Sequence, residues 1–119
     1  TPGISKISQM GLIVYSNNSK YLILKIPLIL IKKHGAVSKE IAKLMSKNLY
    51  KISKSDLCIS TTGIAGPSGG SKKKPVGLVY IGITFKKKTF VFKKNLSGDR
   101  KKIQKKKIIY CLKEVDKLI

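Results

Sequence analysis

Residues 62–76 read Thr-Gly-Ile-Ala-Gly-Pro-Ser-Gly-Gly-Ser-Lys-Lys-Lys-Pro-Val, and no other stretch of the chain is as informative about its fold. The stretch follows the apolar run 57–61, which predicts a buried strand. Glycine is needed where φ is positive or where a ligand approaches bare backbone, and a plain turn requires fewer glycines than these four. We therefore expect a loop whose backbone N–H groups hold an anion, with a purely structural turn as the alternative. Its glycine order matches neither the P-loop nor the Rossmann pattern.

The residues before the loop predict one strand and two helices. Residues 9–15 are mostly apolar and read as a strand. The polar residues that follow are natural N-caps, so Lys20 falls in the first turn of a short helix that ends before Pro27. Ser38 caps a second helix, which we expect to run to about Tyr50.

The residues after the loop predict a hairpin and a final helix. Residues 76–85 and 89–92 read as two strands, with the lysines between them at the turn. Asp99 opens a C-terminal helix. Its expected apolar side consists of Ile108, Cys111, Val115 and Leu118. Strands and helices mixed in this way within 119 residues predict one small α/β domain.

The charge of the chain is its most unusual global property. Its net charge is +21, and Arg100 is the only arginine among 26 basic residues, while isoleucine is also abundant at 17 residues. Proteins that read bases or clamp phosphates generally use arginine, whose planar fork makes bidentate bonds. The lysine excess therefore reflects either AT-rich coding or a surface selected for polyanions. Nonspecific, salt-sensitive affinity for nucleic acid is expected on both accounts.

The cysteines and the single histidine do not suggest a metal site. Cys58 and Cys111 lie far apart in the sequence, and neither is spaced from His34 as metal ligands usually are. We expect two buried, reduced thiols, no metal, no cofactor and a cytoplasmic location.

Residues 21–31 form the most apolar run of the chain. The run has eleven residues, interrupted by Lys25 and Pro27, whereas a membrane-spanning helix needs about twenty. We therefore expect no membrane span. Residues 28–30 are expected to expose an apolar patch, either for contact with a partner or a membrane surface or because selection on the surface is relaxed.

Four segments, taken in order along the chain, resemble the C-terminal domain of the CinA family of nicotinamide mononucleotide amidases. They are residues 14–20, 34–38, 62–82 and 97–100. The resemblance implies a three-layer α/β/α sandwich with a central mixed sheet. It also implies hydrolysis of the carboxamide of nicotinamide mononucleotide, to the acid and ammonia, in pyridine nucleotide salvage.

The resemblance also implies roles for individual residues. The general base of the family falls on Lys20, and Tyr15 is the second expected catalytic position. A lysine acts as a base near neutral pH only if burial, nearby positive charge or a helix N-terminus lowers its pKa, and the sequence places Lys20 at a helix N-terminus. The positions expected to bind the nucleotide substrate are Asn17, Thr62, Gly63, Gly66, Gly69, Gly70 and Arg100.

The serine nucleophile of the family lies in a Glu-Ser-Cys-Thr-Gly-Gly segment, which does not occur among these 119 residues. We therefore expect residues 1–119 to be a single domain of the family that is truncated at its N-terminus and incomplete as an amidase. A missing strand would leave an open sheet edge, so a homo-oligomer is also expected. The alternatives are a nucleotide-phosphate-binding domain without turnover and a basic nucleic-acid-associated protein.

Two further positions carry specific expectations. Arg100 is expected to bind either a substrate phosphate or one of the carboxylates of Asp56 and Asp99. Lys25 stands where the family has a helix-ending glycine, so a left-handed backbone there would cost about 1 kcal/mol.

Overall fold

The computed structural model describes residues 20, 24–64 and 66–118 of the chain. In chain order the elements are α1 (Leu28–His34), α2 (Lys39–Ser53), β1 (Leu57–Gly63), β2 (Leu78–Phe85), β3 (Lys88–Asn95) and α3 (Arg100–Leu118). The strands form an antiparallel sheet in the order β1-β2-β3. The strand predicted for residues 9–15, on which a mixed sheet would depend, lies outside the described residues.

One face of the sheet packs against α3. The inward side chains of the central strand β2 are Val79, Ile81 and Ile83, and they form an apolar cluster with Ile103 and Val115 of α3. Each of these side chains is at most 1% exposed. Alternate residues of β2 therefore supply one half of the core, as the period of two in a strand requires.

The other face of the sheet packs against α2. Ser60 of β1 donates a hydrogen bond to the carbonyl of Ala42 at 2.7 Å, and Thr84 of β2 donates one to Ser46 at 3.1 Å. Gly82 lies directly beneath the Ala42 carbonyl, so there is no space for a side chain at this position. Helices on both faces of one sheet confirm the predicted three-layer α/β/α class.

A second apolar cluster joins α1 to the outer part of α2. It consists of Leu24, Ile26, Ile31, Ile41 and Met45. Of the four residues from Leu28 to Ile31, only Ile31 is buried, at 2% exposure. Leu28 and Ile29 are 42% and 74% exposed, which bears out the predicted apolar patch in part.

The caps of α2 and α3 agree with the prediction. The Ser38 hydroxyl accepts a hydrogen bond from the Ile41 N–H at 3.3 Å, and α2 runs three residues beyond Tyr50. The carboxylate of Asp99 accepts one from the Lys102 N–H at 2.9 Å, directly before α3 begins. These side chains satisfy N–H groups that have no acceptor within the helix.

The structure differs from the prediction at three points. The helix Leu28–His34 after Pro27 was not predicted. Ile108 is 60% exposed and not part of the apolar side of α3. Glu114 is buried beside Cys111 and Val115, and its carboxylate lies 3.1 Å from the ammonium of Lys94. Residues three positions apart lie on the same side of a helix, so Glu114 shares the buried side of α3 with Cys111.

The hairpin is confirmed, and β3 extends to Asn95. Its turn consists of Lys86 and Lys87, both with positive φ, so Lys88 already belongs to β3. None of the helices within the described residues is both long and apolar enough to cross a membrane.

The backbone of Lys25 is left-handed, with φ of +59°. Because glycine adopts this conformation without steric cost, Lys25→Gly is expected to raise the free energy of unfolding by about 1 kcal/mol. Urea denaturation measures the change. In the matched control Lys43→Gly, within α2, the same substitution is expected to cost about 1 kcal/mol. A loss of stability in Lys25→Gly would contradict the strain argument.

Candidate functional site

The glycine loop, residues 64–77, connects β1 to β2 and is closed by its own backbone. The N–H of Ile64 donates to the carbonyl of Leu78 at 2.9 Å, and the N–H of Gly77 donates to the carbonyl of Ile64 at 2.6 Å. Within the loop, the N–H of Ser71 donates to the carbonyl of Lys74 at 2.9 Å. These bonds make the loop a well-defined structure that leads out of the sheet and returns to it. Residue 65 lies outside the described residues.

The four predicted glycines serve two purposes. Gly66 and Gly69 have φ of +78° and +92°, which favour glycine. Gly63 and Gly70 instead lie against protein backbone, where an added Cβ would come within 2.8 Å of it. The structural alternative therefore explains much of the glycine content. Binding of an anion to the loop stays a prediction.

Two side chains, one at the end of β1 and one in the glycine loop, contact the connection between α1 and α2. The hydroxyl of Thr62, a buried residue near the end of β1, donates to the carbonyl of Ala36 at 2.7 Å. The ammonium of Lys74, inside the loop, donates to the carbonyl of His34 at 3.0 Å. Two of the segments that carry the family resemblance, residues 34–38 and 62–82, are therefore in direct contact.

Arg100 ties the loop to the start of α3. Its Nη1 donates to the carbonyl of Gly66 at 3.0 Å. Within the described part of the chain, Arg100 forms no ion pair with Asp56 or Asp99, so that alternative is not found. A third segment of the resemblance, 97–100, thus meets the glycine loop, and the structure joins two of the predicted site residues, Arg100 and Gly66, by a hydrogen bond.

Lys20 is the predicted site residue with the most unusual environment. Its side chain is buried, with 6% exposure, and its carbonyl accepts a bond from the Ile26 N–H at 3.4 Å. Burial lowers the pKa of Lys20 below the ordinary value of 10.5, because desolvation disfavours the ammonium form. Burial is thus the cause of the shift, where the sequence had suggested a helix N-terminus. Tyr15 and Asn17 lie outside the described residues.

The cysteines are buried and free, as predicted. Burial raises the pKa of Cys111 to about 11 and also raises the pKa of Cys58. Both thiols are therefore protonated at neutral pH and are poor nucleophiles. The described residues contain no cluster of three or more histidine, cysteine or acidic side chains placed to hold a metal ion.

A groove of about 490 Å³ opens at the N-terminal end of α2, and sequence reasoning missed it. We call it the α2 groove. Its lining residues are His34, Ser38, Lys39, Glu40, Lys74, Tyr80, Val91 and Lys93. These residues come from two helix ends, the glycine loop and two strands, so no local pattern could have indicated the groove.

Comparison with known proteins agrees with this architecture. The sequence matches the family model of the CinA C-terminal domain over residues 1–119. It is 48% identical over 110 residues to a competence-damage inducible protein of Caldanaerobacter subterraneus subsp. tengcongensis, covering 92% of this chain and 27% of that protein. It is 47% identical over 118 residues to a CinA-like protein of Fusobacterium nucleatum, covering 99% of this chain and 28% of that protein.

A solved structure shows the same fold. The chain superposes on a CinA superfamily protein from Enterobacter cloacae with a TM-score of 0.83 and 30% identity, covering 88% of this chain and 62% of that one. The fold and the linked segments define an α/β domain built around a glycine loop. The chain belongs to the CinA C-terminal domain family. It spans roughly a quarter of the length of the curated relatives that it matches.

Burial of Lys20 generates a prediction about stability. Because the folded protein holds this amine with a lowered pKa, removing the charge is expected to stabilise the fold, and Lys20→Met should raise the free energy of unfolding by about 1 kcal/mol at pH 7. Chemical denaturation measures the change. The matched control is Lys32→Met on α1, where the lysine is exposed and little change is expected.

The pH dependence of this gain follows from the direction of the shift. Between the lowered folded pKa and 10.5 the unfolded chain binds more protons than the folded chain, so the wild type gains stability as pH rises. The advantage of Lys20→Met should therefore shrink as pH approaches 10.5. An advantage that stays constant with pH would show that desolvation of the ammonium is not its origin.

Proposed function

We propose that this chain carries the general base and the substrate-holding loop of an amidase that hydrolyses the carboxamide of nicotinamide mononucleotide. The products are nicotinate mononucleotide and ammonia. The observation that supports this most directly is the buried Lys20, whose pKa is lowered by desolvation. A neutral amine is the form of lysine that accepts a proton, and a lowered pKa raises its population near neutral pH.

The proposed reaction is acyl transfer through a serine. The neutral amine of Lys20 takes the proton of the serine hydroxyl as its oxygen attacks the carboxamide carbon. The tetrahedral intermediate collapses, and ammonia leaves with the proton returned by Lys20. Water then attacks the ester carbon while Lys20 accepts one of its protons, and Lys20 returns that proton to the serine oxygen as the ester bond breaks and the acid leaves. The family resemblance implies this serine in a segment that these 119 residues do not contain, so turnover needs a serine from outside them.

The glycine loop and Arg100 are proposed to hold the phosphate of the nucleotide. The guanidinium carries five N–H donors, and its bond to the Gly66 carbonyl uses one of them. It can therefore brace the loop and bind a phosphate oxygen at the same time. Backbone N–H groups between Gly66 and Gly70 would supply neutral donors beside it. Two buried thiols in reduced form fit a cytoplasmic site for this reaction.

A second candidate function is nucleotide binding without turnover. The sequence observation that favours it is that Glu-Ser-Cys-Thr-Gly-Gly does not occur in these residues, although the binding segments do. The two candidates differ in one measurable respect, since both require nucleotide binding and only the amidase requires ammonia release.

Ammonia release from nicotinamide mononucleotide tests the catalytic proposal. We would assay the chain itself, and the chain preceded by the Glu-Ser-Cys-Thr-Gly-Gly segment, with its adjoining strand and helix, of an active family member. The extended protein is expected to release ammonia, and Lys20→Ala should lower its kcat at least about a hundredfold, the usual contribution of general base catalysis. The rate should rise with pH along a limb whose midpoint lies below 10.5.

Lys32→Ala is the matched control, because it removes one exposed lysine and should leave kcat unchanged. A folded extended protein that releases no ammonia would refute the amidase assignment. Release by the chain alone would refute the second candidate.

Arg100 provides a test of nucleotide binding that does not depend on turnover. Arg100→Gln removes a charged donor from the loop, so the affinity for nicotinamide mononucleotide is expected to fall about tenfold or more. Isothermal titration calorimetry measures the affinity. Lys101→Gln removes the same charge from the next residue of α3 and should have little effect. An equal loss in both variants would mean that general charge, not Arg100, holds the nucleotide.

A further inference from the structure

The exposed side of α2 carries a row of four lysines, and Ile52 is exposed beside the last of them. Lys39, Lys43, Lys47 and Lys51 are spaced four residues apart, and all are exposed. Residues at this spacing are neighbours on a helix surface, about 6 Å apart along the axis, so the row extends over about 18 Å. The single acidic residue of α2, Glu40, lies 3.9 Å from the Nδ1 of His34.

A row of one sign is unusual for a helix that is merely solvated. Exposed helix faces commonly interleave both signs, and like charges four residues apart destabilise a helix. The exposed side of α3 differs in this respect. There the exposed lysines of the first two turns are followed by the exposed apolar residues Ile108, Ile109 and Leu112. The α2 row therefore concentrates anions along one line, and a polyanion is the ligand that such a line would favour.

The N-terminal end of this row leads into the α2 groove. Lys39 belongs to both the row and the groove, and Lys74 and Lys93 are two further lysines that line the groove. Tyr80 also lines the groove, is partly exposed, and lies directly opposite Lys93 in the pairing of β2 with β3. An aromatic ring beside several ammonium groups is the combination by which proteins stack a nucleic acid base and neutralise the adjoining phosphates.

We propose that single-stranded nucleic acid binds along α2, with its phosphates on the lysine row and a base stacked on Tyr80 in the α2 groove. Lysine lacks the planar fork with which arginine recognises guanine, so the binding is independent of sequence. Neither Lys20 nor Arg100 lines the α2 groove, although Lys74 of the glycine loop does. The variants that test this binding therefore leave Lys20, Arg100 and the glycine loop unchanged.

Fluorescence anisotropy with a labelled single-stranded oligothymidine tests the location of this surface. The triple variant Lys39→Gln, Lys43→Gln and Lys47→Gln is compared with Lys101→Gln, Lys102→Gln and Lys105→Gln on α3, where all three lysines are also exposed. Each triple variant removes the same charge from a helix surface. The α2 variant is expected to lose at least about tenfold in affinity, and its slope of log K against log salt should become shallower by about 2.

The α3 variant should retain affinity close to that of the wild type. Equal losses in the two triple variants would overturn the proposal, since binding would then follow net charge alone. Circular dichroism of both variants excludes unfolding as the cause.

Tyr80→Leu tests the stacking step. It keeps every charge, and the affinity for the single strand is expected to fall about tenfold, while the affinity for a duplex of the same length stays unchanged. Equal affinity of the wild type and Tyr80→Leu for the single strand would overturn the assignment of the groove to a base.

Discussion

The arrangement of the described residues depends on the contact between Ala42 of α2 and the sheet. The Ser60 hydroxyl donates to the Ala42 carbonyl at 2.7 Å, directly above Gly82, where no side chain separates the two backbones. This close approach fixes how α2 is rotated about its axis. As a result its apolar residues face inward, its lysine row faces solvent, and its N-terminal connection lies next to the end of β1. The bond from Thr62 to Ala36 follows from that placement. The position of the glycine loop relative to 34–38 is therefore a consequence of helix-on-sheet packing.

The same packing decides what each lysine can do. With a net charge of +21, the chain carries far more ammonium groups than carboxylates. Exposed lysines cost little because water solvates them, and Glu114 offsets the charge of Lys94 where β3 meets α3. Lys20 and Lys107 differ, since burial lowers the pKa of both side chains. Burial therefore separates the solvated lysines from these two, and of the two only Lys20 falls on the position that the family resemblance gives to the base.

Periodicity and caps were sufficient to predict most of the elements. Ser38, the glycine loop and Asp99 marked the boundaries of α2, β1 and α3, because each boundary depends on local chemistry. The helix after Pro27 was missed because its apolar residues follow one another without a clear period. The sequence singled out Arg100 as a lone arginine, but its bond to the Gly66 carbonyl joins positions 34 residues apart, and no local pattern specifies such a pair. The α2 groove was missed for the same reason.

Drift toward lysine and selection for lysine predict different positions for this residue. Lysines introduced by AT-rich coding would accumulate where a charge costs little. Such places are exposed helix surfaces and exposed turns, for example the hairpin turn at Lys86 and Lys87. A buried position resists lysine, because the unpaired charge lowers stability. The lysine at position 20 is 6% exposed, so composition alone is a poor explanation for its presence. A functional requirement that offsets the loss of stability explains it better, and the stability gained by Lys20→Met would be a direct measure of that cost.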